Sequence, residues 1–154
     1  MRQTYKVLAG LIAILVVIQA MTMVFATAGF IHWIDDGNTA DPSVFKAWED
    51  TPPDFVGSLG FLVHGMSGTL LIPVVALLLL IVSFFAKVPR GVVIALVVVL
   101  STALQIFMGI AAHSNPALGL VHGLNAFILF GAAVAAVQAA KGASVAESTP
   151  APAA

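Results

Sequence analysis

The 154-residue chain contains no cysteine and very little charge. The absence of cysteine excludes disulfides, thiolate metal sites and cysteine nucleophiles. Only 8% of the residues are Asp, Glu, Lys or Arg, whereas 60% are hydrophobic, which is not the composition of a water-soluble domain. With a net charge of −1 and no basic stripe, the chain also lacks the electrostatic signature of a nucleic-acid-binding protein.

Catalytic motifs are absent as well. The sequence has no phosphate-binding loop, no H-E-x-x-H zinc motif and no nucleophile elbow. Its apolar runs contain no Asp, Glu, Lys or Arg, which argues against a proton pump or an ion-coupled transporter. We therefore expect no enzymatic activity from the chain by itself.

What the chain does contain is four long apolar runs, at residues 7–31, 58–86, 91–112 and 116–140. Each exceeds the roughly 20 residues that carry a helix across a bilayer, and backbone groups in lipid must be paired within the segment. The short connections, one with Asn115 as the predicted cap of the last helix, make successive helices antiparallel. The sequence predicts an all-α integral membrane four-helix up-and-down bundle over residues 1–141. A disordered cytoplasmic tail is predicted for residues 142–154.

Charge sets the expected orientation. Five of the six cations flank the chain's ends and the second connection, whereas the loop at 32–57 carries one positive charge and six negative ones. By the positive-inside rule, both termini are predicted to be cytoplasmic and loop 32–57 to lie outside the cell membrane. The first run exceeds the roughly 7–15 apolar residues of a secretory signal, so we expect a retained span rather than a cleaved one.

The outer loop is the only long connection. Asp41 and Pro42 form a predicted helix start, followed by an apolar stripe at Val44, Phe45 and Trp48. The stripe favours a helix that lies in the membrane interface. A lid over a site between the spans is the alternative.

The tetrapeptide Leu-Val-His-Gly occurs twice, with its histidines at His64 and His122, 58 residues apart. The same offset aligns Ser67 with Asn125, and a weaker match at an offset of 86 aligns Gln19 with Gln105. The chain is therefore predicted to be a tandem repeat of two-helix units. At ~1.5 Å per residue, each histidine lies about 9 Å below the start of its helix, so both are expected at one depth in the outer half of the bilayer.

Two histidines at matched depth suggest a cofactor site, because an ionisable side chain within a span is costly and often functional. The favoured interpretation is one haem b whose iron is held by His64 and His122. A flat macrocycle needs small residues around its ligands, and Gln105 is a candidate hydrogen-bond partner for a ligand ring. The small candidates are Gly60, Gly68, Gly119 and Ala126.

Two alternatives stay open at this point. Glycines spaced by four also let membrane helices pack closely, and each histidine can simply bond a neighbouring helix. Copper or zinc is the minor alternative, since His32 and His113 lie at the same outer side and methionines offer soft sulfur ligands. If the histidines are structural, we expect a non-catalytic accessory or scaffold subunit of a larger membrane complex.

The segment Gln105-Ile-Phe-Met-Gly109, a short turn, and then His122 and Ala126 resemble a hairpin of the haem A synthase family. That family consists of two four-helix halves, each with one histidine on its second helix and one on its fourth, and His64 and His122 match those positions. The resemblance implies a four-helix fold and haem ligation. The family's acidic residue before the second-helix histidine and its arginine after it are replaced by Phe61 and Gly65, so haem A synthesis is not implied.

The chain also resembles small four-helix membrane proteins of actinobacteria that have no assigned function. The function expected from the sequence is that of a membrane b-type cytochrome, with one haem between helices two and four near the outer face, for electron transfer or haem handling. One haem near the outer surface cannot carry electrons across the whole bilayer. The expected partners are therefore a quinone, a respiratory or other membrane complex, or a second copy of the chain.

Overall fold

The computed structural model describes residues 1–43 and 54–148, and four long helices dominate them. They are the first span, Arg2–Asp35, the second, Leu59–Ser83, the third, Gly91–Ala111, and the fourth, Ala117–Ser148. All four are long and apolar enough to cross a membrane, and the described residues include no strand. The predicted all-α fold with four membrane-spanning helices is confirmed.

The outward faces of the spans are apolar. At most 28% of the most hydrophobic stretch of any span is buried within the protein, and large side chains such as Val24, Leu100, Leu120 and Phe127 are exposed. In water, such continuous apolar surface would drive association, whereas lipid tails cover it without cost. The chain is a multi-pass membrane protein.

The first and fourth spans extend beyond their apolar runs. The first span begins at Arg2 and ends at Asp35, and the fourth continues to Ser148, into the segment for which the sequence predicts a disordered tail. Hydropathy reports only the part of a helix that lies in hydrocarbon, while good helix formers such as Lys, Gln and Ala continue the hydrogen-bonding pattern beyond it. Residues 149–154 lie outside the described residues.

Two predicted helix starts have the expected caps. The Asn115 Oδ1 atom accepts a hydrogen bond from the Ala117 backbone N–H at 3.1 Å, which confirms the predicted cap. In the outer loop, the Asp41 carboxylate accepts from the Ser43 backbone N–H at 2.7 Å, as an N-cap side chain does. The apolar stripe predicted at Val44, Phe45 and Trp48 lies outside the described residues.

The second span is not a uniform α-helix. It consists of an α-helix at Leu59–Met66, a π-helical segment at Ser67–Leu71 and an α-helix at Ile72–Ser83. Pro73 has no backbone N–H to donate to the preceding turn, and a π-helical turn shifts the hydrogen-bonding register to accommodate such a loss. The π-helical segment begins three residues after His64.

The chain divides into two compact units. The first unit comprises Met1–Val16 and Thr69–Ala154 and contains part of every span. Its core is rich in alanine, which lets membrane helices approach closely; the buried alanines are Ala9, Ala13, Ala76, Ala86, Ala95, Ala133, Ala136 and Ala140. The second unit, Val17–Gly68, contains a hairpin between the first and second spans. The rings of Phe30, Trp33 and Phe55 contact one another there, and Phe61 packs edge-on against Phe55.

A buried hydrogen bond joins the first and third spans within the first unit. Tyr5 is fully buried, and its hydroxyl donates to the Gly91 carbonyl oxygen at 3.0 Å. An added Cβ at Gly91 would lie 3.8 Å from the Tyr5 ring, so the ring packs beside the start of the third span. The bond fixes the first span to the third.

Replacement of Tyr5 by Phe removes this hydrogen bond and keeps the ring. We expect the free energy of unfolding to fall by about 1–2 kcal/mol, because a buried carbonyl oxygen loses a partner. The measurement is the unfolding midpoint in a mild detergent titrated with sodium dodecyl sulfate. Thr4→Ala, at an exposed neighbouring position, should leave the midpoint unchanged, and an unchanged midpoint in Tyr5→Phe would contradict the role assigned to the bond.

Candidate functional site

The two histidines of the repeated tetrapeptide occupy the same place in their helices. His64 lies five residues after Leu59, where its helix begins, and His122 lies five residues after Ala117. Both side chains are half-buried. The helical register expected from the repeat is therefore present at both positions.

In the first unit, His122 belongs to a polar cluster that joins the third and fourth spans. Its Nδ1 atom lies 2.9 Å from the backbone carbonyl oxygen of Gln105. The side-chain amide of Asn125 donates to the Gln105 side-chain oxygen at 2.6 Å and to the Ser101 carbonyl oxygen at 2.8 Å. Asn125 and Ser101 are both buried, so we call these four residues the Asn125 cluster.

In the second unit, His64 belongs to a similar cluster that joins the first and second spans. Its Nδ1 atom lies 3.1 Å from the backbone carbonyl oxygen of Gln19. The Gln19 side-chain amide donates to the Ser67 hydroxyl oxygen, and that hydroxyl donates to the Val63 carbonyl oxygen of its own helix. We call Gln19, His64 and Ser67 the Ser67 cluster.

The two clusters share one plan. In each, a histidine ring faces the backbone carbonyl of a glutamine on the preceding span, and a polar residue three positions after the histidine bonds the glutamine side chain. The histidines and glutamines were candidates from the sequence, whereas no role in a site was predicted for Ser67 or Asn125. The signal was available, because the 58-residue offset that pairs the histidines also pairs Ser67 with Asn125.

The hydrogen bond at each histidine determines which ring nitrogen carries the proton. A carbonyl oxygen can only accept, so Nδ1 must be the donor. In the neutral ring, the lone pair then lies on Nε2. Metal-binding histidines are commonly held in this way, with one ring N–H on a backbone carbonyl and the other nitrogen directed at the metal.

Comparisons with known proteins add no further assignment. The chain matches no protein-family model, no curated protein and no solved structure. The candidate site is therefore defined by the two clusters and by the chemistry of their side chains.

The predicted glycine positions contact neighbouring helices. An added Cβ at Gly60 would lie 2.5 Å from the Thr22 carbonyl oxygen, and one at Gly68 would lie 3.2 Å from the Gln19 side chain. An added Cβ at Gly119 would meet Ala112 at 3.9 Å. The contacts of Gly60 and Gly68 with the first span are those of closely packed helices. The expectation that these small residues leave space for a haem stays a prediction.

A fourth glycine contact was not anticipated. An added Cβ at Gly109 would lie 3.1 Å from Cε1 and 3.3 Å from Nδ1 of His122. The imidazole therefore packs directly against the backbone of the third span, where an added methyl group would require the ring to shift by a few tenths of an ångström. Gly109 lies four residues after Gln105, so both contacts of the ring come from one face of the third span.

The remaining two histidines have exposed surroundings. His32 lies 3.8 Å from Asp36 on the same helix, with both side chains more than 60% exposed, and the His113 Nδ1 atom lies 3.0 Å from the carbonyl oxygen of Ile110 in its own turn. Over residues 1–43 and 54–148, no three His, Cys, Asp or Glu side chains gather closely enough to hold a metal ion. Neither His32 nor His113 bonds to a second span in these contacts.

Gly60 and Gly65 provide a matched test of the helix contact in the second unit. Gly60→Ala places a methyl group against backbone, so we expect a loss of about 1–3 kcal/mol from overpacking. Gly65→Ala meets no atom within 4 Å and should leave stability unchanged or raise it by up to about 1 kcal/mol through helix propensity. The unfolding midpoint of each variant, measured in detergent without haem, separates the two. Equal midpoints would contradict the close contact at Gly60.

Proposed function

We propose that this chain is a membrane b-type cytochrome that binds one haem through His64 and His122. The observation that supports the proposal is the repeated hydrogen bond from Nδ1 to a glutamine carbonyl, which leaves Nε2 as the basic nitrogen of each ring. Two histidines at equivalent helical positions, each with a basic Nε2, would be suited to hold a haem iron. Gln19 and Gln105 orient the rings through their backbone oxygens.

The donor set fits haem better than a bare metal ion. Zinc and copper sites in proteins use three or four side-chain ligands, and the described residues offer no cluster of three His, Cys, Asp or Glu groups. Haem iron already has four porphyrin nitrogens and needs only one or two ligands from the protein. The imidazoles of His64 and His122 would provide these two ligands.

Bound haem would supply one-electron chemistry in the membrane. His64 and His122 would hold the iron, and the apolar side chains of the spans would exclude water from it. Apart from the two histidines assigned to the iron, the clusters contain only amide and hydroxyl side chains, which supports electron transfer or haem handling over catalysis by the chain itself. The redox partner would be a quinone or another membrane subunit.

A scaffold role is the second candidate, and one observation favours it. Each histidine bonds the backbone of a neighbouring span, and Gly60 and Gly68 pack against the first span, as purely structural residues would. In that case the hydrogen bonds of the clusters only hold neighbouring spans together, and the exposed apolar faces bind other membrane proteins. The two candidates differ in whether the protein binds haem.

The visible spectrum of the protein purified from haem-replete cells decides between these functions. We expect a Soret band, and sharp α and β bands after dithionite reduction, at a stoichiometry of one haem per chain. His64→Ala and His122→Ala should each abolish this six-coordinate spectrum, because each removes one imidazole from the iron. His113→Ala is the matched control and should retain it. A folded protein that is colourless, and stays so after addition of hemin, would contradict the haem proposal and support the scaffold.

We infer that both ends of the chain are cytoplasmic and that loop 32–57 lies outside. The positive-inside bias supports this orientation. Since the chain has no cysteine, single cysteines can report it directly: a membrane-impermeant maleimide should label Thr39→Cys in intact cells and Pro89→Cys only after permeabilisation. Both positions are exposed, and the reverse labelling pattern would overturn the orientation.

A further inference from the structure

The two cations between the second and third spans adopt a backbone conformation that their residue types disfavour. Lys87 has a φ of 53° and Arg90 a φ of 58°, so both lie in the left-handed region. A Cβ atom crowds the backbone there, and for this reason glycine and asparagine are the usual residues at such positions. Glycine at either position would relieve this strain, but it would also remove a positive charge. Strain of this kind is often retained where a side chain has a function.

The connection is fixed to the core of the first unit. Val88, between the two cations, is buried, and its carbonyl oxygen accepts a hydrogen bond from the Gly91 backbone N–H at 2.9 Å. The Gly91 carbonyl oxygen in turn accepts the hydrogen bond from the Tyr5 hydroxyl. Lys87 and Arg90 are exposed on either side of the buried valine. A well-anchored turn therefore presents two positive charges on the surface.

Apolar rings stand next to these charges. The last helix of the second span ends at Ser83, and the two residues that follow, Phe84 and Phe85, are each more than 60% exposed. Apolar side chains at the end of a span contact acyl chains, whereas lysine and arginine extend their charged ends to the lipid headgroups. The surface therefore combines the two kinds of contact that a phospholipid offers.

The positive charge at this end of the first unit has little acid to neutralise it. Of the seven acidic residues, six lie between residues 35 and 54, and the seventh is Glu147. Over the described part of the chain, neither the Lys87 nor the Arg90 side chain has an acidic partner. The hydrogen bond of Tyr5 also brings Lys6, the next residue in the first span, to the end where Arg90 lies. An anion therefore meets attraction here and little repulsion.

We propose that Lys87 and Arg90 bind the phosphate of an anionic phospholipid, at what we call the Lys87–Arg90 site. The Arg90 guanidinium forms paired hydrogen bonds with two phosphate oxygens, and the Lys87 ammonium adds a compact point charge. The acyl chains of the same lipid cover Phe84 and Phe85. The site lies within the first unit and does not depend on haem. In the inferred orientation it faces the cytoplasmic leaflet, where anionic lipids are found.

The first test measures lipid binding by the full-length protein in detergent. Native mass spectrometry, with phosphatidylglycerol or phosphatidylcholine added, gives the dissociation constant of each lipid. We expect wild-type protein to bind phosphatidylglycerol about 10–30-fold more tightly, the usual contribution of two basic residues near anionic lipid. The double variant Lys87→Gln with Arg90→Gln should bind both lipids equally. Lys141→Gln, which removes one charge of the same sign from the same end of the unit, should retain the preference.

The second test uses the strain in the turn. The double variant Lys87→Gly with Arg90→Gly should have a higher unfolding midpoint than wild type in lipid-free detergent, because glycine adopts a positive φ readily. Added phosphatidylglycerol should raise the midpoint of wild-type protein and leave that of the glycine variant unchanged, since only a ligand of the folded state stabilises it. Inorganic phosphate should raise neither midpoint, because it lacks the acyl chains.

Several results would overturn the proposal. Equal affinity of wild-type protein for the two lipids would exclude an anion-selective site. A loss of preference in Lys141→Gln as large as in the double glutamine variant would show a diffuse surface charge rather than a site at the turn. Stabilisation of wild-type protein by inorganic phosphate alone would point to a free anion instead of a lipid. Circular dichroism and size-exclusion chromatography establish that each variant is folded, and the glutamine and glycine variants test the same two residues independently.

Discussion

The hydrogen bond between each histidine and a glutamine carbonyl is the interaction on which the site depends. An imidazole placed in an apolar span loses water and must find a polar partner. Bonding Nδ1 to a backbone oxygen of the preceding span satisfies that need and fixes the tautomer. It also requires the two spans to approach closely, which explains why glycine stands at Gly60 in one unit and at Gly109 in the other.

The repeat supplies this arrangement twice, and each copy carries a different polar residue three positions after the histidine. In one copy a buried asparagine uses two donors across the spans, and in the other a serine uses its hydrogen within its own helix. The two histidines therefore occupy equivalent helical positions, while the polar residues beside them make different hydrogen bonds.

Much of the fold could be predicted, because four uncharged runs allow only membrane helices. The equal register of His64 and His122 also followed from the repeat. The hydrogen-bond acceptor of each ring could not be predicted. The glutamine side chains suggested hydrogen bonds from the ring to a side-chain amide, whereas the acceptor is a backbone carbonyl oxygen. Because every residue has such an oxygen, the sequence does not identify which one accepts. Likewise, hydropathy has no signal for where a helix continues past the hydrocarbon, as it does to Ser148, or for the π-helical register after Met66.

The tautomer of the two histidines tests the central claim most directly. Nitrogen-15 NMR of histidine-labelled, haem-free protein in detergent, assigned with His64→Ala and His122→Ala, distinguishes a protonated ring nitrogen from one that carries a lone pair. We expect a protonated Nδ1 and an unprotonated Nε2 in both residues, as the carbonyl acceptors require. A protonated Nε2 in either histidine would contradict the hydrogen bond and, with it, the orientation of that ring toward a metal.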